Sequence, residues 1–182
     1  MALLAVSVQA KLQAAPPKEI GIGERAPLFT LKDQTGGDFS LAEMIKKGPV
    51  AVVFVRSVDW CTYCQLQTVQ LSENLAEIQA GGGQVVVITY DAPEKVKRFA
   101  HRRKLNVPIL SDADSKTIDA YAMRGLRGSG DQLGSAQHGT FVVDKTGTVR
   151  SKPYLTSYEG RAAVDALIGA LKEANVSEPK TK

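Results

Sequence analysis

Disulfide frameworks, membrane spans and repeats are all missing from this sequence. Of its 182 residues only two are cysteine, Cys61 and Cys64. A structural framework would use more cysteines, spread to close long loops, so a pair at this spacing points to a reactive or metal-binding site. No apolar run approaches the ~18 residues that suggest a spanning helix, so no membrane partner is expected. No internal repeat or low-complexity segment is present. Charge of one sign is not in large excess either: the net charge is +4, and it is scattered. The densest basic run, Lys95 to Lys104 (KVKRFAHRRK), is the one candidate for an acidic or nucleic-acid partner. Val96, Phe99 and Ala100 draw an apolar stripe through it, which leaves the charges on a solvated helix face. No nucleic-acid partner is expected.

What is present suits one domain. The length, a hydrophobic content of 43% and a charged content of 23% are those of a globular chain with a core of its own. Residues 1–19 are expected to form a tail or short helix, residues 20–174 the folded domain, and residues 175–182 a mobile tail. Ala2 to Val8 is apolar, and Val8-Gln9-Ala10 loosely fits a signal-peptidase site, but no positive n-region precedes it. A cytoplasmic protein is therefore the expectation, with export the alternative if this segment is a signal remnant.

The apolar pattern alternates between strands and helices. Pro27 to Leu31 reads as a short strand ended by the turn residues Asp33 to Gly37, and Leu41 to Lys47 as a helix with Ser40 as N-cap. Val50 to Val55 and Val85 to Tyr90 are continuous apolar runs, the pattern of strands buried on both faces. Between them a long helix is expected from about Trp60 to Ala80, closed by Gly81-Gly82-Gly83. A helix from Pro93 to Lys104, a strand at Val107 to Leu110 and a short helix from Ser115 to Met123 follow. Arg124 to Gly139 reads as a loop. Lys145-Thr146-Gly147 joins two strands of a hairpin, and Gly160 to Glu173 is a closing amphipathic helix. This order predicts an α/β fold: a central mixed sheet with helices on both faces.

The cysteine pair opens a helix directly after a buried strand, where ligands gather in open α/β sheets. Unpaired N–H groups and the positive dipole end stabilise a thiolate there, and the thiolate is the reactive form. Cys64, Thr68, Leu71, Leu75 and Ile78 share one helical face, which predicts a buried Cys64. Cys61, a turn earlier, is expected at the helix mouth within reach of solvent. An exposed attacking sulfur with a buried partner behind it suits dithiol–disulfide exchange. Two unrelated core cysteines would explain neither pairing nor placement. Zinc would need two more ligands, and the sequence offers only His101 and His138; neither a metal nor a cofactor is expected.

Phe54 to Cys64 (FVRSVDWCTYC) resembles the active-site segment of the thioredoxin superfamily. Ala26 to Leu31 (APLFTL), Gly139 to Asp144 (GTFVVD) and Leu105 to Arg124 (LNVPILSDADSKTIDAYAMR) resemble, more narrowly, its alkyl hydroperoxide reductase/thiol-specific antioxidant branch, the peroxiredoxin-like redoxins. The likeness covers roughly residues 20–172. It implies a thioredoxin-like fold and a thiol oxidoreductase, monomer or homodimer. Such an enzyme would reduce peroxide or disulfide substrates and draw on an external thioredoxin- or glutaredoxin-like dithiol. A protein disulfide reductase or oxidase is the second reading, and a non-catalytic redox sensor or binding module the third.

Two departures from the family's patterns stand out. The peroxiredoxin pattern Pro-x-x-x-Thr-x-x-Cys, laid onto Cys64, puts Ser57 at the proline and Cys61 at the threonine; laid onto Cys61, it gives Phe54 and Val58. Where thioredoxin-like oxidoreductases carry a proline before the strand of Phe141, this chain reads Gln137-His138-Gly139-Thr140. His138 is expected to face the pair, as an imidazolium beside a thiolate, as a proton acceptor, or merely packed. Arg56 and Arg124 would lend positive charge to a thiolate or pair with carboxylates such as Asp59. Trp60 and Tyr63 flank the sulfurs and would shape an apolar docking surface.

Overall fold

The valine-rich run reaches the centre of the molecule as β3 (Val50–Phe54), with all five residues buried. In the computed structural model, which describes residues 18–125, 133–155 and 161–176, β3 pairs in parallel with β4 (Gln84–Thr89). β5 (Ile109–Ser111) continues the parallel set beside β4. On the other flank β3 pairs antiparallel with β6 (Gly139–Val143), register Phe54 to Gly139, and β6 with β7 (Val149–Ser151). The hairpin β1 (Thr30–Lys32) and β2 (Asp38–Ser40) closes the far edge through β1 against β5. The strand order is β2-β1-β5-β4-β3-β6-β7. This is the mixed sheet expected, and its chemistry-bearing end lies beyond the carboxyl ends of β3 and β4.

Alternating side chains feed two cores. Ala51, Val53, Val85 and Val87 pack against Leu71 of α2 (Thr62–Glu73), Ile78 of α3 (Leu75–Ala80), Phe99 of α4 (Pro93–Arg103) and Leu167 of α6 (Arg161–Val176). Val50, Val52, Phe54, Val86 and Ile88 pack on the opposite face against Leu41 of α1 (Leu41–Ile45) and Ile118 of α5 (Lys116–Ala120). Helices therefore cover both faces. Phe54, Tyr121 and Phe141 form an aromatic cluster, with Tyr121 centred 5.0 Å from Phe54 and 5.1 Å from Phe141.

Several elements depart from the sequence reading. The single helix expected from Trp60 to Ala80 is two, because Asn74 breaks it: its side-chain amide donates to the Gln70 carbonyl at 2.8 Å. The first helix begins one residue after Cys61, which is its N-cap. Ser40 makes no side-chain cap, and Lys104 leaves α4 in the left-handed region with φ 52°. The basic helix buries Val96, Phe99 and Ala100 as expected. The 124–139 segment is not all loop, since Arg124 bridges Ala136. α6 runs to Val176, so Asn175, expected to open the tail, is helical. Residues 1–17 and 177–182 lie outside the described residues, and with them most of both expected tails. No described helix is long and apolar enough to cross a membrane.

Candidate active site

The loop from β3 to α2 carries the motif, and a buried carboxylate holds it. Asp91, just past β4 and 3% exposed, accepts from the Ser57 hydroxyl at 2.9 Å, the Val58 N–H at 2.6 Å and the Thr89 hydroxyl at 2.7 Å. The Ser57 oxygen in turn accepts from the N–H groups of Asp59 and Trp60 at 2.9 and 3.2 Å. From the helix side, the Gln65 amide donates to the carbonyls of Val58 and Asp59, both at 3.0 Å. Few free torsions remain ahead of Cys61.

Cys61 and Cys64 are joined as a disulfide. Cys61 Sγ also accepts the Cys64 N–H at 3.4 Å, so the first sulfur sits on the unpaired donors of the helix N-terminus. Cys64 is fully buried, as its helical face requires. Cys61 is less accessible than its place at the helix mouth suggests: it is 6% exposed and belongs to the same apolar cluster. Its sulfur turns inward over the helix end toward Cys64, and the partly buried Trp60 packs against that cluster.

His138, immediately before β6, stands with Nε2 3.4 Å from Cys64 Sγ. Burial, with the Arg56 charge adding to it, lowers the imidazole pKa and favours a neutral ring. A neutral imidazole beside a thiol can accept its proton, whereas a standing imidazolium partner is disfavoured. Gly139 leaves room at this corner: a Cβ there would come 2.5 Å from Met123 Cε. Its backbone pairs with Phe54, which sets β6 and the cysteine loop side by side.

The other expected site residues separate. Trp60 is partly buried and donates its indole N–H to the Tyr90 hydroxyl at 2.8 Å, while the Arg56 guanidinium lies 4.8 Å from the Trp60 ring centroid. Arg56 does not pair with Asp59. Lys95 and Arg98 of α4 do so, at 2.8 and 3.5 Å, and the Lys95 hydrogen bond leads in lowering the Asp59 pKa. Arg124 is bound to Asp119 and to the Ser115 carbonyl, which answers to the carboxylate-pairing reading. Tyr63 is 53% exposed and Leu66 48%, in the first two turns of α2. His101 lines a separate open cleft of about 1000 Å³ beside α4 with Asp33 and Lys97. Sequence reasoning missed Asp91, Tyr90 and Gln65. The one signal for Asp91 was a carboxylate directly after a buried strand.

A thioredoxin-like α/β sheet with a cysteine pair at the N-terminus of the helix after β3 defines a thiol–disulfide oxidoreductase. Comparison with known proteins narrows the class. The AhpC/TSA family model matches residues 22–152. A Mycobacterium tuberculosis peroxiredoxin is 32% identical over 145 residues, covering 78% of this chain and 89% of that protein. Peroxiredoxin Bcp of Escherichia coli is 30% identical over 131 residues, 70% of this chain and 81% of that one. A chloroplastic peroxiredoxin Q of Gentiana triflora is 29% identical over 157 residues, 86% of this chain and 69% of that one. The crystal structure of peroxidoxin BcpB from M. tuberculosis superposes with a TM-score of 0.74 at 24% identity, covering 88% of this chain and all of that one. The chain belongs to the AhpC/TSA family, and it is a thiol-dependent oxidoreductase whose Cys61 and Cys64 are joined as a disulfide.

Proposed function

We propose that the protein is a peroxide-reducing thiol enzyme in which Cys61 attacks and Cys64 resolves. One observation carries this order: Cys61 Sγ is the N-cap of α2, receives the Cys64 N–H, and is the less buried sulfur. The helix end favours its thiolate. The thiolate takes the distal oxygen of a hydroperoxide and becomes a sulfenic acid, while the alkoxide takes a proton and leaves as alcohol. The Cys64 thiol, losing its proton to neutral His138, then displaces hydroxide, which leaves as water with that proton, and the disulfide forms. An external dithiol of thioredoxin or glutaredoxin type returns two electrons and two protons. Peroxiredoxin relatives support the peroxide as oxidant.

The reverse order has its own support. His138 touches Cys64 rather than Cys61, and it lines a small cavity of about 250 Å³ with Met123, Gly139 and Tyr154. Trapping distinguishes the two: reduced Cys61→Ser and Cys64→Ser variants are treated with one equivalent of peroxide and a sulfenic-acid reagent. Under the proposed order only Cys64→Ser, which keeps Cys61, gives the adduct. An adduct on Cys64 in Cys61→Ser, at the wild-type rate, reverses the assignment.

A further inference from the structure

We propose that the reduced protein binds one Cu(I) ion through Cys61, Cys64 and His138. These three alone, among the described Cys, His, Asp and Glu residues, form a cluster whose ligand atoms all lie within 4.8 Å of one another. Metal–sulfur and metal–nitrogen bonds of roughly 2.3 and 2.0 Å in a planar three-ligand site separate the ligand atoms by about 4 Å. His138 Nε2 already lies 3.4 Å from Cys64 Sγ, so opening the S–S bond supplies most of the change required. That opening takes two electrons and two protons from an external dithiol, which leaves as its disulfide. Cu(I) then displaces both thiol protons to solvent and forms two Cu–S bonds and one Cu–N bond. No electron moves to or from the metal.

Three features select this ion. Thiolates with an imidazole suit a soft cation, and Cu(I) accepts three ligands where zinc sites are almost always four-coordinate. Two thiolates around Cu(I) carry a net charge of −1, which the helix N-terminal N–H groups and nearby Arg56 stabilise, whereas the zinc complex would be neutral and gain less. Met123 lines the same small cavity as His138, placing a soft thioether beside that ligand. Because the same two sulfurs serve both roles, the disulfide and the metal complex exclude each other.

The test does not use peroxide turnover. The reduced full-length protein is titrated anaerobically with Cu(I) against a chromogenic chelator such as bicinchoninate, and the product is examined by copper K-edge absorption. One equivalent is expected, with two sulfurs and one nitrogen around copper, and none retained by the disulfide form. His138→Ala should still show two titratable thiols. It should lose the nitrogen and bind at least roughly tenfold more weakly, since even outer-shell partners are worth that much. Unchanged affinity in His138→Ala, a sulfur-only site in the wild type, or copper bridging two chains would each overturn the proposal.

Discussion

A single carboxylate, Asp91, accepts three hydrogen bonds, two of them from the loop that delivers Cys61, 33 and 34 positions earlier in the chain, and one from Thr89 of β4. Removing a buried acceptor leaves its donors unpaired, at about 1–3 kcal/mol for such a group. Asp91→Ala is therefore expected to lower stability by about 2 kcal/mol or more, read as a lower urea midpoint at unchanged slope. The slope test separates this from a general loosening of the fold. Residue-level roles were unevenly legible in the sequence. The helical spacing of Cys64 with Leu71 and Ile78 foretold its burial, because one amphipathic face is a local property. The Asp91 clamp was not legible, because its partners meet it only after β3 and β4 pair. Cys61 was misjudged in degree for a related reason: position at a helix mouth does not reveal which way a capping side chain turns.

At the level of elements, the first turn of α2 and the β6–β7 hairpin each make a separate prediction. Tyr63 and Leu66 stand exposed beside the cysteine pair, and we propose that a protein reductant docks on them. Tyr63→Ser should raise KM for a thioredoxin-type protein on the order of fivefold, about 1 kcal/mol, and leave turnover with a small dithiol unchanged. Equal loss with both reductants would place Tyr63 in the chemistry instead.

In the hairpin, burial opposes the Asp144 charge. Hydrogen bonds from the Thr146 hydroxyl, the Thr148 N–H and Arg150 outweigh it and lower the carboxyl pKa. A depressed folded pKa stabilises the fold above the unfolded value of about 4, and that stability is lost as pH falls through the folded pKa. Asp144→Asn should cost about 2 kcal/mol at pH 7 and noticeably less at pH 3, by chemical denaturation at both. A pH-independent difference would contradict this reading. The hairpin was visible in sequence, with Gly147 supplying the φ of +81° that its turn needs. The break at Asn74 was not, since an asparagine on a helical pattern does not announce that it will bond its own turn.

For the whole molecule, the site is a meeting of β3, α2 and the start of β6. His138 lies 74 positions after Cys64, yet the antiparallel register of Phe54 on Gly139 carries it to the sulfur. The resemblance of two separated segments made that meeting legible beforehand. Arg124 shows the limit: a cation near a suspected site in sequence is bound to Asp119 in the fold, and only packing decides between the two roles. The most direct test of the central claim follows the only tryptophan, Trp60, next to the pair. Reduced protein is mixed with one equivalent of hydroperoxide in a stopped-flow fluorimeter, and the product is weighed intact. The account predicts a fluorescence change whose rate rises linearly with peroxide, and a product lighter by two hydrogens with Cys61 and Cys64 joined. Peroxide consumed without that disulfide, or no reaction under conditions where the same protein reduces a protein disulfide, would contradict it.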